Sequence, residues 1–551
     1  MPLYTWIRQH VPVWCMALLL LFLIVCPLLT LFVKAVIIDD RLDFSYAEAV
    51  LLAPGNLQMI GNSLLLGLLV VIVSTVIAFP LAYLLGRTSF SRHKILDILF
   101  LIPFMTPPYI ASMGWILFMQ KRGLLGQLVP AFSGGVAPFF TLAGLVLVMS
   151  LHVFPFMVTI LRNAITHIPA SMEESAAVLG AGFWQRMRKI ILPLLAGNYA
   201  IGALLIFVKT LSEYGTPYTL GRRIGFDVFT TDIHRYAAVA PVSFGKAAVL
   251  ASVLVTICLL LWMVQNAITH HASYHLVSGK GSRPALLPLR GMARAAGWLY
   301  IGLLLVLSIG IPYFSVIATS LIRLRGFGLA AGNFTFSHYI ELFTDNENAL
   351  AAIGNSLFLG LTSATLCAIL GTAIVLLVRK SGRQTGRFLE AGSLLPEMLP
   401  GIVMVIGIML FWNDIYALLP LYNTMGIMIL TYVVLFLPYT VQYVTSSFTQ
   451  MSGSLEDAGK VCGGNAFYIF RRITLPLIFP GIAAGWMMTF IISVRELVAP
   501  SLISPPNTLV ISTYIMREFE QGSVSLGMAM AVLCVLLTVG ALLLLDRHLR
   551  K

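Results

Sequence analysis

Two polar islands stand out in an otherwise apolar chain: Glu173–Pro193, EESAAVLGAGFWQRMRKIILP, and Glu456–Pro476, EDAGKVCGGNAFYIFRRITLP. The first reads as helix, break, helix. Ser171 can cap a short helix with Glu173 and Glu174 in its first turn, where carboxylates suit the macrodipole. Gly180 and Gly182 let the chain turn, Arg186, Arg188 and Lys189 lie at headgroup level, and Pro193 is tolerated in the first turn of the next helix. An ordinary polar loop that contains a glycine accounts for one such segment, but less easily for two with the same internal spacing. A second set of charges lies about 20 residues, or roughly 30 Å of helix, beyond each island. Glu213 has Lys209 four residues before it on the same helix face, and Glu496 adjoins Arg495. Charges at membrane depth are costly unless paired or hydrated. These four either line an outer gate or vestibule, or reach the outer interface and are solvated there.

Catalytic chemistry finds no support. The chain has no G-x4-G-K-[ST] phosphate loop, no H-E-x-x-H zinc site and no G-x-S-x-G elbow. The run THHASYH, with His270, His271 and His275, falls in a polar linker and reads as solvated and not as a metal site. The six cysteines lack paired spacing, so neither disulfides nor a cysteine metal site is expected. No metal and no cofactor are expected.

The elements that position these residues follow from composition. Of 551 residues, 59% are hydrophobic and 10% charged, which describes an integral membrane protein. Continuous apolar runs long enough for helical spans occur near 14–36, 58–85, 96–119, 138–161, 191–212, 246–266, 297–321, 350–378, 392–413, 424–446, 477–499 and 524–545. The first could be mistaken for a signal peptide, but its apolar stretch is long and lacks a small-residue cleavage site, so it is expected to be retained. Lys and Arg favour one side of these spans roughly two to one, which puts both termini in the cytoplasm. The net charge of +13 then reflects topology and attraction to anionic lipid, and scattered basic loops argue against nucleic-acid binding.

The chain also contains its own second copy. NSLLLGL at Asn62–Leu68 recurs as NSLFLGL at Asn355–Leu361, and Pro103, Pro107 and Gly114 meet Pro396, Pro400 and Gly407 at the same offset of 293. From Pro155 with Pro438 onward the offset becomes 283, through both islands to Glu213 with Glu496. Six spans per copy make the halves parallel repeats. The expected organisation is a first unit 1–269 with its polar loop at 168–193, a cytoplasmic linker 270–295, and a second unit 296–551 with its loop at 451–476.

The islands resemble the EAA loop, E-A-A-x3-G-x9-I-x-L-P, of permease subunits of ATP-binding-cassette importers. Glu174, Ser175, Ala176, Gly180, Ile190, Leu192 and Pro193 fall on that pattern, and Asp457, Ala458, Gly459, Gly463, Ile473, Leu475 and Pro476 repeat it. Ser175, Asp457 and Gly459 are its small departures. The resemblance implies an all-α protein of the type I importer class, two permease units fused head to tail. It implies that the loops, with Glu173 and Glu456 leading them, form coupling helices for ATPase subunits. The expected partners are two such ATPases, which bind the ATP, an extracytoplasmic solute-binding protein, and membrane lipid. The expected location is a bacterial cytoplasmic membrane, and the chain is expected not to be an enzyme. EYGTPYTLG and FDVFTTDIH make the chain most similar to ferric-iron permeases, with thiamine and aminoalkylphosphonate permeases as alternatives. An ion-coupled secondary transporter is the reading from another class; such proteins usually carry ionisable residues deep in their helices.

Overall fold

The computed structural model describes residues 3–38, 41–271 and 286–549. The linker expected at 270–295 therefore falls largely outside the described residues, with His275, and so do the side chains of His270 and His271. Regular structure is almost entirely helical; one short antiparallel ladder pairs Ile37–Ile38 with Arg41–Leu42.

Among the described residues, ten helices are long and apolar enough to cross a membrane: Val11–Val36, Pro54–Arg87, Leu142–His167, Phe183–Ser212, Phe244–Thr269, Gly291–Leu321, Glu347–Lys380, Met425–Gln450, Ala466–Val494 and Val524–Leu543. The spans expected at 96–119 and 392–413 are not straight. Each is a bent pair, Lys94–Met105 with Pro108–Leu128 at 90° and Arg383–Met398 with Gly401–Asp414 at 109°. Proline is the cause. Pro107 and Pro400 lack an N–H, and the residues before them, Thr106 and Leu399, are extended, as steric contact with the following ring requires.

Other prolines sit in helices without breaking them, four of them in one recurrent setting. Pro27, Pro193, Pro312 and Pro476 each follow a five-residue π turn, at Leu21–Val25, Met187–Ile191, Val306–Gly310 and Phe470–Thr474. The wider turn gives the ring room and absorbs the missing hydrogen bond. Pro193 and Pro476 consequently lie inside continuous helices and not at their starts, so the fifth and eleventh spans begin earlier than 191 and 477.

The chain packs as two units whose membership differs from the sequence halves. One comprises Met1–Leu52, Ile233–Val255 and Phe334–Lys551, the other Ala53–Asp232 and Thr256–Asn333. In the first unit the N-terminal span lies on Gly401–Asp414, and a Cβ at Gly407 would stand 2.8 Å from the Pro27 carbonyl oxygen. In the other, the seventh span lies on Pro108–Met119, with a Cβ at Gly114 placed 2.7 Å from the Pro312 carbonyl oxygen. Glycine at these equivalent positions lets backbones touch, as small residues do between membrane helices. The first span of each repeat is thus packed with the third span of the other, a grouping that the boundaries 1–269 and 296–551 do not anticipate.

Candidate coupling segments and gate residues

The first polar island forms a helix, Ala170–Val178, that leads through Gly180 into Phe183–Ser212. Pro169 occupies its N-cap without a side-chain cap, so Ser171 lies inside the helix and only Glu173 of the two glutamates falls in the first turn. The end is a Schellman motif: Ala181 N–H donates to the Ala176 carbonyl at 2.9 Å, and Gly180 takes the left-handed conformation, φ +81°. Gly182 is extended at φ −67°, so Gly180 alone uses glycine's freedom.

The second island repeats this at Ser454–Val461. Gly464 N–H reaches the Gly459 carbonyl at 3.0 Å, and Gly463 has φ +80°. Glu456 and Asp457 occupy the first turn, and Asn465 caps the next helix by accepting from Tyr468 N–H at 2.8 Å. Gly459, where the resembling pattern has alanine, is pressed against that helix; a Cβ would lie 2.8 Å from Ile473 Cδ1. Ile190, Ile473 and Leu475 are half-buried, whereas Leu192, Pro193 and Pro476 are exposed.

The two segments are anchored differently. Glu173 Oε1 lies 2.9 Å from Arg87 Nη2, whose side chain is 1% exposed, and that nitrogen also donates to the Ile168 carbonyl at 2.9 Å. Arg87 ends the second span, and reading it only as a topological charge missed it. Glu456 has no such partner among the described residues: its Oε1 accepts from the Thr474 hydroxyl at 2.9 Å, on the helix that follows its own loop. Asp457 pairs instead with Lys460 at 2.8 Å, which holds the Lys460 ammonium above its usual pKa. Glu174 and Ala458 are exposed and Ala176 is half-buried.

What the segments share is uncovered apolar surface. Val178 is 87% and Val461 88% exposed, and Trp184 is 79% and Phe467 70% exposed, at positions related by the repeat.

Of the candidate gate residues, Glu213, Arg495 and Glu496 fall just past the ends of their helices. The fifth span's helix stops at Ser212, so Glu213 is an extended C-cap residue and does not continue the helical face that carries half-buried Lys209. Arg495 caps the helix ending at Val494, with Glu496 next. Each acid caps the turn that follows: Glu213 Oε1 accepts from Thr216 N–H at 3.2 Å, and Glu496 Oε1 from Val498 N–H at 2.9 Å. Each acid's carbonyl accepts from a hydroxyl, Thr230 at 2.7 Å for Glu213 and Ser512 for Glu496.

The repeated Asn-Ser pair of the second and eighth spans holds those hydroxyl-bearing loops. Asn62 Nδ2 donates to the Asp227 carbonyl at 3.2 Å, and Ser63 Oγ accepts from Phe229 N–H at 2.9 Å. Asn355 and Ser356 do the same for Leu509 and Ile511, at 2.9 and 2.8 Å. Sequence reasoning used this pair to detect the duplication without assigning it work; two polar residues kept inside an apolar repeat were the available signal. Among the described residues, no three His, Cys, Asp or Glu side chains converge in a way that could hold a metal ion.

Two like-built sets of membrane helices, each with an exposed apolar segment after its fourth span, define a two-unit transport permease. The chain belongs to the family described as binding-protein-dependent transport system inner membrane component, which it matches twice, at residues 78–272 and 352–551. It is a multi-pass inner-membrane protein, the permease component of an ATP-driven importer and not an enzyme; its family implies an ATPase and a solute-binding protein as partners. It is 26% identical over 96% of its length to the ferric transport system permease protein FbpB of Actinobacillus pleuropneumoniae, covering 76% of that protein. It is 24% identical over 97% of its length to the Fe(3+)-transport system permease protein FbpB 2 of Haemophilus influenzae, covering 98% of it. The putative 2-aminoethylphosphonate transport system permease protein PhnV of Salmonella typhi matches 47% of this chain over 96% of its own length, at 24% identity.

Proposed function

We propose that this chain forms the path of a ferric-iron importer, and that residues 170–186 and 454–469 are the surfaces through which two ATPase subunits drive it. The observation that carries the coupling assignment is the pair of uncovered apolar segments. Large apolar side chains exposed at symmetry-equivalent places mark protein contacts. ATP is bound by those subunits and not by this chain. Both termini and both segments face the cytoplasm, in keeping with the distribution of Lys and Arg. Closure of the ATPases moves the segments, and a helix running from each segment through its π turn carries that motion to Glu213 or Glu496, which border the outer gate. A loaded solute-binding protein docks on the outer side, lipid surrounds the spans, and alternating access delivers the cargo. The substrate assignment rests on relatives that span nearly the whole two-unit chain and are named for ferric transport.

The test is uptake of radioactive ferric iron by cells that depend on this chain. Gly180→Glu and Gly463→Glu should each abolish uptake and loosen ATPase association while membrane insertion persists, with unequal severity because the anchors differ. A double variant that takes up iron normally with its ATPase bound would overturn the coupling assignment. Wild-type cells that import no ferric iron would overturn the substrate.

A further inference from the structure

Duplication lets one place in the fold be compared as built twice. In the first half, Asp97 and Arg162 form an ion pair at the ends of neighbouring helices. Gly86 makes room for it: a Cβ there would stand 3.2 Å from Ile165 Cγ2 and 3.6 Å from Arg162 Cγ. The equivalent positions of the second half hold Arg379 for Gly86, Glu390 for Asp97, Thr445 for Arg162 and Phe448 for Ile165. The guanidinium that would answer Glu390 is gone, and another has appeared on the adjacent helix. It does not replace the lost pair. Arg379 Cζ lies over the Phe448 ring, 4.8 Å from its centroid, and no ion pair forms between Arg379 and Glu390 among the described residues. The short Thr445 side chain leaves a cavity of about 260 Å³ lined by Val375, Val378, Arg379, Glu390, Thr445 and Phe448.

The cavity therefore offers an anion and a cation, both exposed at its mouth, with a hydroxyl and an apolar wall. We propose that it binds a phosphoethanolamine group. The ammonium would sit on Glu390, where a guanidinium sits on Asp97 in the first half, and the phosphate on Arg379 and the Thr445 hydroxyl, both charge-assisted contacts. Any acyl chain would follow Val375, Val378 and Phe448. A phosphoglycerol group would set its phosphate beside Glu390 with no ammonium to offset it, and a choline group has no N–H to donate to that carboxylate. The ligand would join the ends of the eighth, ninth and tenth spans, and the tenth span runs directly into the second coupling segment. The group can come from membrane phosphatidylethanolamine or from soluble phosphoethanolamine.

The whole chain, reconstituted in nanodiscs of phosphatidylethanolamine, phosphatidylglycerol and phosphatidylcholine in equal parts, would be released into mild detergent and its retained lipids counted by native mass spectrometry. Wild type should retain the ethanolamine lipid roughly tenfold over the other two. Glu390→Gln, which conserves volume, and Thr445→Arg, which rebuilds the first-half pair, should each remove that preference. Soluble phosphoethanolamine titrated into protein that still retains the lipid separates the sources: binding that displaces the lipid points to the soluble compound, and lack of displacement points to the lipid. Equal retention of all three lipids by wild type with no binding of phosphoethanolamine, or an undiminished preference in Glu390→Gln, would overturn the proposal.

Discussion

Replacing Glu173 with glutamine should release the helix Ala170–Val178, whereas the same change at Glu456 should hardly disturb its counterpart Ser454–Val461. The Arg87 side chain is 1% exposed; among the described residues its Nε and Nη1, and Glu173 Oε1 as well, are buried without a hydrogen-bond partner, so Arg87 and Glu173 are held by charge. Glu173 is its one carboxylate partner among the described residues, and that side chain is 12% exposed. Glutamine keeps an oxygen for Arg87 but takes away the charge, and uncompensating a buried guanidinium in this way approaches the about 3–5 kcal/mol that breaking a buried ion pair costs. The low end applies here, since Glu173 keeps some contact with solvent and the Ile168 carbonyl still accepts from Arg87. About 3 kcal/mol corresponds to roughly a hundredfold shift in a local opening equilibrium. Glu456→Gln keeps an oxygen that can accept from the Thr474 hydroxyl, so its cost is that of one weakened neutral hydrogen bond, about 0.5–1.5 kcal/mol, or roughly threefold to tenfold. Hydrogen exchange of the purified protein reads both. Amides of 175–181 should lose about a hundredfold protection in Glu173→Gln, and those of 458–464 no more than about tenfold in Glu456→Gln. Equal losses, or a first helix unmoved by Glu173→Gln, would refute the claim that the Arg87 pair anchors it.

Gly114→Ala and Gly407→Ala should each destabilise the packing of a first span on a third span by about 1–3 kcal/mol, because backbone and not a flexible side chain stands in the way; Gly302→Ala, with nothing within 4 Å, is the control in a thermal-shift series. Gly459→Ala should come out near neutral, since Ile473 Cδ1 can move and alanine gains about 1 kcal/mol of helix propensity, while Gly459→Phe should displace the second segment and uncouple ATPase activity from uptake. Asn62→Ala and Asn355→Ala each remove one clamp on the loop that binds a gate acid, at about 1 kcal/mol apiece, and should raise proteolysis near 227 and 509. The pair Glu213→Gln with Glu496→Gln keeps an acceptor for each turn and removes both charges, so impaired uptake with intact assembly would assign the effect to charge at the gate; wild-type uptake would leave only a solvated interface role.

Hydropathy made the number and rough position of the spans legible, because a helix in lipid must be apolar over a fixed length. It could not show that two of them are broken. Pro107 and Pro400 lie within runs that remain apolar on both sides, and a window average does not register a 90° or 109° bend. The exchange of first spans between units was hidden for another reason: Gly407 meets Pro27 and Gly114 meets Pro312 across long separations in sequence, and periodicity reports only local order. Arg87 looked like any loop cation; its burial depends on where the chain returns at Ile168 and Glu173. The shape of each polar island, by contrast, followed from its own residues. A left-handed glycine at 180 or 463 and a proline after a π turn are decided within one or two helical turns, so the repeat carried them intact.

The central claim is that both segments are faces on which ATPases sit. Cysteines placed at Val178 and Val461, in a chain freed of its own six, offer the most direct test, because those side chains are uncovered. Their rates of alkylation would be measured in purified protein with and without the partner ATPase. The account predicts fast modification of both alone and slowing of both, by roughly tenfold or more, when the ATPase is bound. Slowing at neither position, with the ATPase demonstrably attached, would contradict it.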